Sequence, residues 1–335
     1  MSTITTSSKS NLTTSKCTTN NIICYGCLTF GNTETPSPTW YLIAGNSDIG
    51  NNSEIFNTYS GSYKNVASGE YSHAEGYGTT ASGNYSHAEG NGTKAEGNYS
   101  HSEGNNTTAS GDYSHSEGNN TTASGKKSHA EGVGTKASGD SSHVEGYNTT
   151  ASGHYSHAEG YNTTASGDYS HTEGNNTTAS NIDSHAEGHI TVASGEYSHA
   201  EGSDTTASGN YSHTEGYKTT ASGNYSHAEG FYTTSSGGFS HAQNNNTIAD
   251  NIYMTAIGNY NISNNDEVVN KKKNKLFVIG NGTELKRQDA FIITDNGDVF
   301  ISGNVFVKGN VKKSIGNDNW VSNDYNWTSF WFIKF

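Results

Sequence analysis

The chain has 335 residues, with 32 acidic and 18 basic side chains and a formal net charge of −14. That balance argues against a nucleic-acid or anionic-membrane partner, because phosphate binding needs a basic footprint. Only 30% of the residues are hydrophobic. No stretch approaches the roughly eighteen apolar residues of a membrane span, so membrane insertion is not expected, and a lone monomer would struggle to offset its ordering entropy.

Residues 1–39 read as a flexible Ser/Thr/Asn-rich lead, closed by Pro36 and Pro38, the only prolines. Met1 to Asn20 lacks a basic start and an apolar core, so no signal peptide is expected. All three cysteines, Cys17, Cys24 and Cys27, lie in this lead. The last two have CxxC spacing, but no second pair and no thioredoxin-like context accompany them, so they are assigned no cofactor or metal. Trp40 to Asn57 is expected to open a roll spanning 40–262, as an irregular cap.

From there thirteen histidines stand every fourteen residues, from His73 to His241. An unbroken period of this kind predicts a solenoid, one coil per unit. In the unit Ser72–Tyr85, Ser-His-Ala-Glu and Thr-x-Ala-x alternate with period two and predict two short strands. Ser72, Ala74, Thr79 and Ala81 would face a thin interior. Glycine follows three and ten residues after each histidine, and its replacements, Asn181, Asn244 and Asn251, are all asparagine. Asparagine best replaces glycine at positive φ, so both corners are expected to need left-handed backbone. Stacking at about 4.8 Å per coil predicts a rod of roughly 65 Å.

An aromatic stands two residues before the histidine in ten units, including Tyr71, Tyr85, Tyr99, Tyr155 and Tyr225. These rings are expected to form a structural column along one edge, with a carbohydrate-stacking strip as the other reading. The histidine and the residue two after it share the outer face of the first strand. That residue is glutamate in twelve units, giving His73/Glu75, His87/Glu89, His101/Glu103, His157/Glu159 and His227/Glu229 among others. The favoured reading is a structural ladder at a trimer axis, each imidazole donating to a carboxylate. A solvated face, metal or anion binding, and acid–base catalysis are the other readings. Glutamate is already a ready partner for each imidazole, so no metal is assigned. A motif repeated thirteen times builds no unique catalytic constellation, so no catalytic residue is assigned either. The adjacent glutamates predict raised histidine pKa values, with stability lost as pH climbs through them. The second outer face carries a Thr-x-Ser ladder, such as Thr150/Ser152, broken by Lys94 and Lys136.

Residues 263–275 read as a polar, basic linker around Lys271–Lys273. Residues 276–310 read as a small β module. Its core is a hairpin over Ala290–Ile301 turning at the two-residue Asn296-Gly297. Residues 311–335 form a tail rich in aromatics, from Trp320 to Phe335, read as packed within its own trimer in preference to a docking site.

The repeat resembles that of YadA-type trimeric autotransporter adhesin heads, written roughly SVAIGxxSxAxG. Ser72-His73-Ala74-Glu75-Gly76 stands where SVAIG stands, and Met254-Thr255-Ala256-Ile257-Gly258 is closer to it. The resemblance covers roughly 57–262. It implies an all-β, left-handed parallel β-roll, a homotrimer, displayed on a surface for attachment and followed here by a small β module. Histidine and glutamate stand where the family places apolar residues toward the trimer axis. Leu276 to Gly309 is similar to the module that follows such rolls in phage and giant-virus appendage proteins. The expected function is a non-enzymatic trimeric fibre head on a virion or cell surface, without cofactor, its partners being itself and a surface receptor such as a glycan. An ice-binding solenoid using the Thr-x-Ser face and a tailspike-like polysaccharide depolymerase are the alternatives.

Overall fold

A computed structural model describes residues 53, 65–264 and 274–306, with the backbone of 54–57, 312–314 and 320–322. The lead, the cysteines, the start of the cap, Lys271–Lys273 and most of the aromatic tail lie outside the described residues.

Each coil contributes one strand to each of two parallel sheets. The broad sheet contains His73–Tyr77, His87–Asn91 and their successors, and the narrow one pairs two-residue strands such as Thr80–Ala81 and Lys94–Ala95. The register is that of the sequence period: His73 lies opposite His87, Glu75 opposite Glu89, and Thr80 opposite Lys94. The result is an all-β parallel solenoid of about fourteen turns, with no helix among the described residues. It is the expected fold.

The interior is as thin as the sequence implies. Ala74, Ala81 and Thr79 are fully buried and Ser72 nearly so, and the pattern recurs in each coil. Side chains this small bring the two sheets together without a wide lumen to fill. In most coils, Ser212 and Ser226 excepted, the serine before the histidine closes its own corner, Ser86 Oγ donating to the Gly83 carbonyl at 2.6 Å. Where serine replaces the inner alanine, the interior supplies a partner, as in Ser102 Oγ to Thr107 Oγ1 at 2.7 Å.

The two corners differ from expectation. At the first, Gly76 has φ of +118° and Asn244 +84°, as predicted. At the second, the glycine is not left-handed. It is needed because coils touch there: a Cβ on Gly83 would lie 1.8 Å from the Gly97 carbonyl oxygen. The other left-handed residues are the one five after each histidine, such as Asn106 (φ 53°), and the one two before the next, aromatic or not, such as Tyr85 (φ 59°) and Lys127 (φ 59°). Asn181 occupies the crowded glycine position by redirecting its N–H to Ser184 Oγ at 3.2 Å, where the glycines point theirs at an alanine carbonyl of the next coil.

Beyond Asn259 the broad sheet continues. Lys275–Asn281 adds one more parallel rung, with Ala256 opposite Val278 and Gly258 opposite Gly280. Asp289–Thr294 then pairs antiparallel with that rung, and Val299–Ile301 antiparallel with Asp289–Thr294. The hairpin stands where expected, but its turn holds three residues, Asp295 to Gly297. Gly297 N–H bonds the Thr294 carbonyl, Thr294 N–H bonds the Asp298 carbonyl, and only Gly297, at +83°, is left-handed. A type I turn followed by a left-handed glycine replaces the two-residue form. Lys275 and Asp289 form a buried ion pair at 2.9 Å, and both also bond the backbone of Ile262, fastening this segment to the last coil.

The short sheet ends on side chains that imitate backbone. Asn261, fully buried, accepts from Ile248 N–H (2.7 Å) and donates to the Ile248 carbonyl (2.9 Å). Asn65 does the same at the other end, accepting from Thr79 N–H and donating to the Gly76 carbonyl.

Candidate functional site

Strand alternation turns every register histidine, and the residue two after it, away from the interior and onto the broad face. The parallel register then stacks like on like. Successive imidazoles lie 4.7–4.9 Å apart, most with near-parallel rings, as in His87–His101 at 6°. His73 meets His87 edge-on instead.

The expected hydrogen bonds between imidazole and carboxylate are not what this geometry holds. The nearest Nε2–Oε separations are 3.5 Å for His73/Glu75, 3.6 Å for His87/Glu89, 3.7 Å for His101/Glu103 and 3.9 Å for His157/Glu159. Farther along, the pairing slips by one coil. Glu229 approaches His241 (3.6 Å) rather than His227, and Glu187 approaches His199 (3.8 Å). From His87 to His241 each register Nε2 is shielded from solvent and has no hydrogen-bond partner among the described residues. The rings are half-buried and the glutamates beside them partly exposed.

The electrostatics reverse the expected sign at the histidines. Burial pushes His87, His101, His157 and His227 below the ordinary imidazole value, neighbouring imidazoles push them further, and the glutamates only partly oppose this. His129, His171, His185 and His199 follow the same pattern. Stacked carboxylates shift one another in alternating directions. Hydrogen bonding to Glu117 and to Glu145 raises Glu103 and Glu159, while Glu117 and Glu145 are lowered as acceptors. Between them Glu131 is pushed up to about 7, first by burial and then by its two carboxylate neighbours. Glu229 is likewise raised through its hydrogen bond with Glu215.

The aromatic edge forms three columns rather than one. Tyr71, Tyr85, Tyr99 and Tyr113 stack at 4.9–5.0 Å, Tyr155 stacks on Tyr169 at 5.0 Å, and Tyr197 begins a run through Tyr211, Tyr225 and Phe239 to Tyr253. Lys127, Ser141 and Asp183 make the breaks. Within a column each ring covers its neighbours' faces, so a sugar could stack only at the ends. Beside the aromatics runs a ladder the sequence reading missed. Asn84, Asn98 and Asp112 each accept, through Oδ1, the backbone N–H of the equivalent residue one coil earlier. Its signal is the recurrence of Asn or Asp three residues before the histidine. The extra rung was also legible, since Val278-Ile279-Gly280-Asn281 repeats the form of Ala256-Ile257-Gly258-Asn259.

A family model for the YadA head domain repeat, in two copies, matches residues 102–128, 145–170, 158–180 and 186–212. Those segments of the roll are similar to YadA-type head repeats. The matched segments are runs of coils in which a histidine–glutamate pair occupies the broad face. Comparison with curated proteins finds no match. In the matched coils the broad face is carried by histidines and glutamates.

Proposed function

We propose that this chain is the non-enzymatic head of a trimeric surface fibre, used for adhesion or host attachment on a cell or virion, with the histidine–glutamate face turned to the trimer axis. The observation that carries the reading is the YadA head repeat over a continuous ladder. YadA heads are trimeric adhesins, which supports self-association here. The broad face adds a physical reason. A column of shielded imidazole nitrogens without hydrogen-bond partners in one chain is costly to leave alone and gains from two further chains. The repeated faces also speak against an enzyme, because successive coils present the same groups and no coil gathers a distinct set.

The receptor is proposed to meet the outer edges, where the Thr-x-Ser strip and the ends of the aromatic columns face solvent. A glycan-array and cell-binding screen of the purified full chain tests this. Saturable binding, reduced when Tyr113 and Tyr155 become Ala, is expected. Absence of binding to every cell surface and glycan tried would count against adhesion.

A further inference from the structure

The sequence reading sets metal aside because each histidine has a glutamate to bond. The distances remove that reason. Separations of 3.6–3.8 Å between His213 Nε2 and Glu201, or His199 Nε2 and Glu187, are too long for a good hydrogen bond. They lie close to the separation of two ligands on one tetrahedral ion, roughly 3.3 Å for bonds of about 2.0–2.1 Å. A third ligand completes each group: Glu201 with Glu187 and His199, and Glu229 with Glu215 and His227, with all ligand atoms of a group within 4.8 Å of one another. Four such groups along the rod share no ligand.

Two further observations point to an ion. The histidine Nε2 atoms are shielded and without hydrogen-bond partners among the described residues, so their lone pairs are available once the proton sits on Nδ1. In the single chain, Glu173, Glu187, Glu201, Glu215 and Glu229 also line an open groove of about 610 Å³ along two of the four groups, giving a cation a negative field there. Two carboxylates on successive coils repel each other, and a divalent ion between them turns that repulsion into attraction.

We propose that the histidine–glutamate column is a repeated site for divalent transition-metal ions of the Zn2+ class, each held by three ligands from successive coils: one imidazole and two carboxylates in three of the four independent groups, and two imidazoles and one carboxylate in His129/Glu131/His143. The nitrogen donor selects Zn2+, Co2+ or Ni2+ over Ca2+ and Mg2+, which prefer all-oxygen sites. The ligands of one group come from a single chain, so the site does not depend on the trimer. Within a trimer, three columns would add ligands from the other chains.

The test uses the full chain, stripped with chelator and dialysed against micromolar Zn2+, with bound metal measured by atomic emission. About four ions per chain are expected, matching the independent groups. The triple variant H199Q/H213Q/H227Q should retain about two, while Ca2+ uptake stays low in both. Co2+ in the wild type should give the intense visible absorption of a low-coordinate nitrogen–oxygen site, which decides the matter even if the variant misfolds. Fewer than one Zn2+ per chain, unchanged uptake in a folded variant, or a Co2+ spectrum identical to the aqueous ion would overturn the proposal. Sedimentation of the same samples separates the readings: Zn2+ uptake by a monomer supports the metal site and removes the trimer.

Discussion

At the scale of single residues, the same amino acid answers different demands at the two corners of a coil. Gly76 is required both by its φ and by the Gly90 carbonyl oxygen, 2.1 Å from where its Cβ would lie, and Gly83 by the carbonyl of the next coil alone. The asparagine substitutions suggested one cause for both, because asparagine tolerates positive φ. Asn181 shows that a residue can also enter the second corner by changing its hydrogen bond. Two substitutions separate the causes. In Gly209→Ala the new Cβ would lie 2.0 Å from the Gly223 carbonyl oxygen, a backbone atom fixed in the ladder. A loss at or above the upper end of the usual overpacking range, about 3 kcal/mol, is expected. Gly297→Ala meets nothing within 4 Å and suffers only its φ of +83°, costing about 1–2 kcal/mol. Denaturant titrations of both variants read the difference, and equal losses would mean that coil contact at the second corner is not tight. Side-chain spacing was legible in the sequence at this scale. The cause of each glycine was not, because it depends on how closely neighbouring coils approach.

At the scale of elements, the strands follow from period-two alternation, and their register follows from the unbroken fourteen-residue count. The ends were less legible. Short-sheet termination depends on Asn65 and Asn261, whose amides replace a missing rung, and single asparagines in an asparagine-rich chain give no signal. The last rung of the broad sheet lies after a break in the period, which hid its likeness to the coil before it. Its anchor is the Lys275–Asp289 pair, some 5% exposed on either side. Replacing Lys275 by Ala leaves the Asp289 carboxylate buried without its cation. A loss of about 3–5 kcal/mol is expected, since removal of one partner strands a buried charge. Because the pair sits at one end of the rod, hydrogen exchange should rise mainly over 255–301 and spare the central coils. Uniform exchange along the rod would contradict the anchoring role.

At the scale of the whole molecule, the broad face links shape, charge and assembly. The sequence showed which residues share that face but not how strongly the stacked rings desolvate one another, so the direction of the histidine shift was misread. Lowered histidine pKa values place their stability contribution above the unfolded value of about 6.5, and it is lost as pH falls through the folded values. Raised glutamates such as Glu131, at about 7, act in the opposite sense, losing stability as pH rises through that value. Lowered ones such as Glu145 offset them. The histidines outnumber both, so in chelator the melting temperature should fall between pH 7.5 and pH 5.5. A rise over the same interval would show that carboxylate repulsion governs instead.

The proposed adhesive display rests on three chains closing around the histidine–glutamate face. Sedimentation equilibrium of the full chain at micromolar concentration tests that claim most directly. A single species at three times the 35.6 kDa chain mass is the predicted result. A folded species at 35.6 kDa would contradict it.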